Sequence, residues 1–364
     1  MGVLQPQNIR TVRSVVRLGL IAFATGMVAS AFITLLVDRD AILAILPEIN
    51  PLMLTVPFGL YLAINVMDSL RLRMVLHQFH MRVPFRVAFA NSVIGVLFNN
   101  ITPAGTGGHP FQIYHLKFRG IPAKTATNII LSRHVERLIS QAAITLAAVP
   151  VVLQVAATLE FGRGFIFAGV GLVTLLALFL LVILARPDFV AAIALRLSHR
   201  KLNGLITRIT GKPDWPEQAI HWTREMRAQV AYLWNQRTLI MFVDSAVGVL
   251  NMVFQGLSMW FMITVLTGAS LPVFHTVLTW IVVNQLVYYV PTPGASGSVE
   301  GMHTLVFAAV TGRPELTFVA VVLWRFATYY LHIVFGGFVF AGFLRNQNRN
   351  AGKITPEIAG DETG

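Results

Sequence analysis

Apolar segments long enough to cross a lipid bilayer are the feature that most constrains the fold of this chain. The runs Leu18–Val37 and Leu52–Leu70 each hold about 20 residues, the length that a membrane-spanning helix needs. Hydrophobic residues make up 55% of the chain and charged residues 12%, well below the roughly 25% charge of soluble domains. The sequence therefore predicts an all-α polytopic membrane protein.

Basic residues set the expected orientation of the spans. Arg10, Arg13 and Arg17 precede the first run, and Arg71 and Arg73 follow the second, whereas the loop between the two runs is acidic. By the positive-inside rule, both termini lie in the cytoplasm of a bacterial-type cytoplasmic membrane. Six full spans are expected, at Leu18–Val37, Leu52–Leu70, about Thr125–Val155, Gly164–Ala185, Leu239–Leu266 and Thr317–Leu344.

Two further segments are apolar but broken by polar turns. Asn99–His115 and Val290–Gly301 each join two short apolar arms through proline, glycine and polar residues. Backbone of this kind is tolerated at membrane depth only inside protein or beside a wet cavity. We predict two re-entrant helix hairpins; if each crossed fully, ten spans would result with the same orientation. The expected turn or hinge residues are Pro103, Gly105, Gly107, Pro291, Pro293, Gly294 and Gly297.

The two broken segments resemble each other. Pro84 begins the first arm and Pro103 lies 19 residues on, and the same spacing separates Pro272 from Pro291. Because the charge pattern places the two entrances on opposite sides, we predict an inverted-topology repeat with a cavity between the copies. The expected organisation is one transmembrane domain over 1–345, with repeat one at about 52–156, repeat two at about 239–344, a basic cytoplasmic connection at 186–237 and a disordered cytoplasmic tail at 346–364.

Ionisable residues inside predicted helices are the first candidates for a binding site. Arg133 and Arg137 share a helix face, and Glu136 is three residues from Arg133. They could bind a phosphate, because a guanidinium matches phosphate geometry, or they could form a structural ion pair. Arg325 lies deep in its helix, and Glu300 is its expected partner, either as a gate that substrate opens or as a permanent pair.

Polar residues of the first turn complete the candidate substrate-binding site. Asn99, Asn100, Thr102 and His109 could hydrogen-bond a headgroup, or they could satisfy the backbone groups that the break leaves free. The helix N-termini after both turns would add positive dipole ends that suit an anion. Asp68 and Arg71 are interpreted as an ion pair at a helix end.

Several classes of chemistry are not expected. The chain has no cysteine, and its histidines lack the accompanying carboxylates of a metal site. No catalytic motif and no nucleotide-binding loop is present, so we expect neither an enzyme nor a cofactor. The net charge of +12 is assigned to cytoplasmic loops and lipid headgroups, so no nucleic-acid partner is expected.

Three motifs give the chain a resemblance to a known family. A Pro-x-Gly turn at Pro103–Gly105 precedes a polar helix start, the helix Ser132–Leu138 contains the pair Glu136-Arg137, and the turn Pro293–Glu300 has a Pro-Gly-x-x-Gly-x-x-Glu pattern. With these motifs, residues 15–345 resemble the lysylphosphatidylglycerol synthase transmembrane-region family of flippase-like proteins. Gly108-His109 stands where that family often has Gly-Glu. The resemblance implies lipid flipping or transport without lipid synthesis.

The function expected from the residues and the resemblance together is that of a flippase-like transporter. It would move a lipid with a polar or charged headgroup between membrane leaflets, and its partners would be membrane lipids. Two alternatives stay open: an ion-coupled transporter of a small polar solute, and an accessory membrane protein or enzyme of polyprenyl or hopanoid lipid metabolism. A homodimer is also left open.

Overall fold

The computed structural model describes residues 49–102, 105–158, 238–288 and 294–351, together with scattered single positions elsewhere. Every regular element within these ranges is helical. The predicted first span, the span at 164–185, most of the basic connection and the tail beyond 351 lie outside the continuously described residues, as do Pro103, Pro291 and Pro293.

Nine α-helices and one π-helical turn make up the described ranges. In chain order they are α1 Pro51–Gln78, α2 Phe85–Ile101, α3 Gly108–Phe118, α4 Ala123–Thr158, α5 Thr238–Thr267, α6 Val273–Tyr288, α7 Ser298–Thr311, α8 Pro314–Arg325, the π turn Phe326–Tyr330 and α9 Leu331–Ala351. By length and composition, three helical segments could cross a membrane: α1, α5 and the continuous stretch from α8 into α9.

The helix boundaries agree with the predicted pattern of long spans and short arms. The pairs α2–α3 and α6–α7 are short helices joined by turns, at the positions predicted for the two hairpins. The last helix continues past 345 to Ala351, because its sequence stays free of proline and glycine after Gly342 until that point. Helical structure thus extends into the segment predicted as tail.

Helix α1 is longer than the sequence predicted. Asn50 caps its start, since the Asn50 side chain accepts a hydrogen bond from the backbone N–H of Leu52 at 3.0 Å. The helix continues past Leu70 to Gln78, so Arg71 and Arg73 lie within α1 rather than after its end. Arg71 is only 4% exposed, because it is surrounded by carboxylates within the helix bundle.

Helices α1 and α5 pack against each other in antiparallel orientation. Arg71 contacts Asp244, Asp68 contacts Asn251, and Tyr61 contacts Gln255. Residue numbers therefore fall along α1 as they rise along α5.

The contacts of the first four helices are repeated by the last five. Helix α1 packs on α2, α2 on α3 and α3 on α4; likewise α5 packs on α6, α6 on α7 and α7 on α8. Between the halves, α2 packs on α9 and α6 packs on α4. We call α1–α4 the first unit and α5–α9 the second unit.

The largest apolar core lies in the second unit. Its centre is formed by the side chains of Trp280, Met259, Phe307 and Trp324. Trp324 donates a hydrogen bond from its indole nitrogen to the Ser258 hydroxyl at 2.8 Å, which joins α8 directly to α5. The second unit is therefore closed between these two helices.

Candidate functional site

The described residues of the first turn, 102 and 105–107, are held by polar side chains at the end of α2. The Thr102 hydroxyl accepts a hydrogen bond from the Gly107 N–H at 2.8 Å, and the Asn99 side-chain oxygen accepts one from the Gly108 N–H at 2.9 Å. These bonds satisfy donors at the start of α3 that no helical carbonyl reaches. Asn99 and Thr102 thus serve the broken backbone, as one of the two interpretations predicted.

The close approach of α2 and α3 requires glycine at Gly108. A Cβ atom there would lie 2.2 Å from the Asn99 side-chain oxygen and 2.5 Å from the Gly95 carbonyl oxygen. The backbone of α3 therefore begins in direct contact with α2, and Gly105 enables the turn with a φ of 62°. This geometry fixes the direction in which α3 leaves the turn.

The second turn, residues 294–297, is built around two left-handed glycines and an ion pair. Gly294 and Gly297 have φ values of 57° and 85°. The Glu300 carboxylate accepts a hydrogen bond from the Gly297 N–H at 2.7 Å, and Arg325 Nε donates to the same carboxylate at 3.2 Å. The predicted pairing of Glu300 with Arg325 is confirmed.

Arg325 also binds the turn itself. Its Nη2 donates to the Gly294 carbonyl and to the Ser296 hydroxyl, the latter at 3.2 Å. Its guanidinium carbon lies 4.0 Å from the ring centre of Tyr329, a cation–π distance. Because Glu300 is 1% exposed and Arg325 6%, the geometry is that of a buried clamp on the second turn.

A second set of charges, the ion cluster, lies where the two units meet. Its members are Asp68, Arg71, Arg133, Glu136, Arg137 and Asp244. Arg71 stands at the centre: it binds Asp244 through two hydrogen bonds of 2.9 and 3.0 Å, Asp68 at 3.0 Å and Glu136 at 3.2 Å. Three arginines and three carboxylates give the cluster no net formal charge.

The other two arginines are held more loosely than Arg71. Arg133 Nη2 is 3.5 Å from an Asp68 oxygen, and Arg137 Nη2 is 3.8 Å from the other. Arg133 Nε lies 3.7 Å from Asp244 Oδ1, beyond ordinary hydrogen-bond distance. Arg137 has 42% of its side chain exposed, so it carries the most accessible charge of the cluster. Their geometry leaves guanidinium hydrogens available to a ligand.

A polar cleft lies beside this cluster, and the space between its walls, counted out into open solvent, is about 360 Å³. Its walls come from α1, α2, α3 and α4, with Asp68, Leu72, Asn91, Ser92, His109, Gln112, Ile130, Arg133, His134 and Arg137 as the lining residues. The cleft thus belongs to the first unit, whereas the sequence predicted a cavity between the two copies. The reason is that α1 and α4 line a space here, whereas their counterparts α5 and α8 pack together.

The structure brings together only part of the predicted site. His109, Arg133 and Arg137 line the cleft, while Glu300 and Arg325 form the separate clamp. The backbone carbonyl of Asn100 accepts a hydrogen bond from the Tyr329 hydroxyl. These positions divide the predicted residues between two locations.

The partner of Glu136 differs from the predicted one. Its carboxylate accepts hydrogen bonds from Arg71 at 3.2 Å and from the Ser140 hydroxyl at 2.8 Å. The sequence predicted a pair with the arginines of its own helix. Glu136 is 2% exposed and turns toward α1, so it supports the cluster from within.

Arg71 and Asp244 were missed as site residues. Arg71 was interpreted as a helix-end partner of Asp68, but it lies inside α1 and joins α1, α4 and α5. Asp244 could have been predicted from the sequence. It is a lone acidic residue in a long apolar helix, and such residues usually face the interior of a bundle. Tyr329 was also missed.

His109 and His134 are the histidines that line the cleft, in the described part of the chain. There, no group of three or more histidine or carboxylate side chains is arranged to hold a metal ion. His109 and His134 stack edge to face with ring centres 4.3 Å apart, and Arg133 and Arg137 line the same cleft. The site is suited to an anion or to a polar group of mixed charge.

Comparison with known proteins agrees with this architecture. A family model described as the lysylphosphatidylglycerol synthase transmembrane region matches residues 17–336. A UPF0104 membrane protein from Archaeoglobus fulgidus is 24% identical over 331 residues, which cover 87% of this chain and 94% of that protein. The family match covers α1–α8, the π turn and the start of α9, together with the cleft residues. The chain is a membrane protein that belongs to the lysylphosphatidylglycerol synthase transmembrane-region family.

Proposed function

We propose that this protein translocates a lipid with a polar or charged headgroup between the leaflets of a membrane. The observation that carries the proposal is the polar cleft in the first unit, which places Arg133 and Arg137 beside a space among apolar helices. Charged side chains within membrane helices are costly, and they typically mark substrate pathways. The headgroup would enter the cleft while the acyl chains stay in lipid.

The ion cluster suits a headgroup that contains phosphate. Arginine binds phosphate through paired, charge-assisted hydrogen bonds, and Arg133 and Arg137 have only long contacts to Asp68. Arg71 is committed to three carboxylates at short distances and would hold the cluster together while the other two arginines change partners. A neutral cluster can release its ligand more easily than a purely cationic one, which transport requires.

The proposed architecture has six full spans, two re-entrant hairpins and an inverted repeat. The antiparallel contact of α1 with α5 supports it, because equivalent helices related by an axis in the membrane plane run in opposite directions. The reciprocal contacts of α2 with α9 and of α6 with α4 follow the same symmetry. Both termini would be cytoplasmic, in a bacterial-type cytoplasmic membrane.

The difference between the units suggests how the cleft would exchange sides. The first unit holds a cleft between α1 and α4, while α5 and α8 are closed by the contact of Trp324 with Ser258. In an inverted repeat the two units can exchange conformations. Closing the first cleft would then open a second path between α5 and α8. The protein would act as a transporter, and we propose no chemical step.

Reconstitution into liposomes tests the proposal. Vesicles with the protein would contain a trace of a lipid labelled on its headgroup, and a membrane-impermeant reductant would quench the label outside. With anionic, aminoacylated and polyprenyl lipids compared in turn, we expect quenching to pass the outer-leaflet fraction for at least one of them. Exchange no faster than in empty vesicles for the whole panel would overturn the proposal.

A second arm separates lipid transport from solute transport. The same vesicles would be incubated with radiolabelled glycerol 3-phosphate, which shares the phosphate but lacks acyl chains. Uptake of this solute without lipid exchange would support the ion-coupled solute transporter instead. Lipid exchange without solute uptake is the result expected here.

A further inference from the structure

One tyrosine side chain contacts both the second turn and the end of α2, from which the first turn begins. The Tyr329 hydroxyl donates a hydrogen bond of 3.0 Å to the carbonyl of Asn100, at the end of α2. The hydroxyl end of the same ring lies against Gly294 of the second turn, where an added Cβ would be 2.2 Å from a ring carbon. The Tyr329 side chain itself is buried, with 3% of its surface exposed.

The chain places this ring with an irregular helical turn. Phe326–Tyr330 is π-helical, and the backbone N–H of Leu331 bonds to the Phe326 carbonyl. Such turns are rare and occur frequently at functional sites. Here the π turn lies directly after Arg325, so the guanidinium that clamps the second turn stacks on the ring that reaches the first.

From the second turn, the contacts run without interruption to Tyr329. Glu300 binds the Gly297 N–H and the Arg325 guanidinium, and Arg325 in turn binds the Gly294 carbonyl and stacks on the ring. A change in the Glu300–Arg325 pair must therefore shift the surroundings of Tyr329.

From Tyr329, the contacts continue to the cleft. Asn100 lies between Asn99 and Thr102, whose side chains accept hydrogen bonds from the first N–H groups of α3. Helix α3 carries His109 and Gln112 into the cleft wall. Displacing the end of α2 would thus move the start of α3 and the cleft with it.

We propose that Tyr329 is a positioning residue that couples the two turns, so that the first turn follows the state of the Glu300–Arg325 pair. The hydroxyl transmits the change, because it donates the hydrogen bond to Asn100 at the end of α2, two residues before the first turn. The coupling goes beyond lipid transport and does not depend on which molecule crosses the membrane. Its test therefore needs no transported substrate.

The absence of cysteine from the chain permits a clean test. Thr106→Cys places one thiol on an exposed position of the first turn, and its rate of labelling by a water-soluble maleimide is measured in the full-length protein. Glu300→Gln then weakens the clamp on the second turn. With Tyr329 present, we expect this substitution to change the labelling rate about fivefold, the lower end of typical couplings between sites. In a Tyr329→Phe background, the same substitution should leave the rate unchanged.

A second perturbation covers the case in which Glu300→Gln fails to fold. Gly294→Ala drives a methyl group into the Tyr329 ring. Gly312→Ala is the control, because Gly312 has a similar left-handed backbone but open space around its Cβ position. Only Gly294→Ala should alter labelling at Thr106→Cys, and only while the Tyr329 hydroxyl is present. Tyr330→Phe, which removes the neighbouring hydroxyl, should retain the coupling.

Two results would overturn the inference. One is a change in labelling of equal size with Tyr329 and with Tyr329→Phe, which would mean that the hydroxyl transmits nothing. The other is no change at Thr106→Cys when either folded second-turn variant is made with Tyr329 intact. Neither result would bear on the lipid exchange assay, so the two proposals fail separately.

Discussion

Arg71 of α1 and Asp244 of α5 form a buried ion pair joined by two hydrogen bonds, with Nε–Oδ1 at 2.9 Å and Nη2–Oδ2 at 3.0 Å. The two residues are 173 positions apart and belong to different units. Arg71 also binds Asp68 and Glu136, so it connects α1, α4 and α5 at one point. This pair is the main polar contact between the antiparallel helices at the centre of the fold.

Asp244→Asn should destabilise the protein strongly. The substitution leaves Arg71 with a neutral partner in a buried position, and breaking a buried ion pair typically costs about 3–5 kcal/mol. Thermal unfolding in detergent, followed by fluorescence-detected gel filtration, measures the effect. The matched control is Glu315→Gln at an exposed carboxylate in the first turn of α8, which should unfold like the parent. Equal melting temperatures for all three proteins would contradict the assigned role.

Gly108→Ala should disrupt the first turn. Its new methyl group would meet the Asn99 side chain and the Gly95 carbonyl, both at less than contact distance, and overpacking of this kind costs about 1–3 kcal/mol. Gly59→Ala is the control, since nothing lies within 4 Å of its Cβ position on α1. The helix propensity of alanine should leave Gly59→Ala as stable as the parent or slightly more stable. Similar melting temperatures for the two variants would argue against a tight contact between α2 and α3.

Ser258→Cys should become reactive during transport. Ser258 is fully buried at the contact of α5 with α8, but the proposed exchange between units opens this contact. A water-soluble thiol reagent should therefore modify Ser258→Cys in active liposomes. The control is Met259→Cys, which lies in the apolar core and reports general unfolding. Lipid exchange that proceeds while Ser258→Cys stays unmodified would contradict the exchange of conformations.

The helical plan of the described ranges was predictable because it depends on local pattern. Runs of apolar residues mark α1, α5 and the α8–α9 stretch, and the proline and glycine residues of the two breaks mark the short helices. The pairing of Glu300 with Arg325 was also predictable. Each is an ionisable residue in an apolar setting, and only a few such residues were available to pair.

The centre of the site was not predictable in the same way. Arg71 directly follows an apolar run, and its sequence position does not indicate that it is buried. Its partner Asp244 is brought beside it only by packing between distant helices. The cleft lies within one unit because α1 and α4 are separated there. The local sequence of either helix does not predict the distance between them. Tyr329 depends on a π turn, and its sequence, Phe326–Tyr330, reads as ordinary apolar helix.

The proposed transport requires that the headgroup passes through the cleft. The most direct test compares the rates of lipid exchange in liposomes that contain Arg137→Gln with the rates in liposomes that contain Arg86→Gln. Arg137 carries the exposed charge at the cleft, whereas Arg86 is exposed on α2 outside the cleft lining. Losing a charge-assisted hydrogen bond costs about 1.5–3 kcal/mol, so Arg137→Gln should slow exchange about tenfold or more. Arg86→Gln should match the parent. Equal exchange rates for folded Arg137→Gln and the parent would contradict a headgroup path through this cleft.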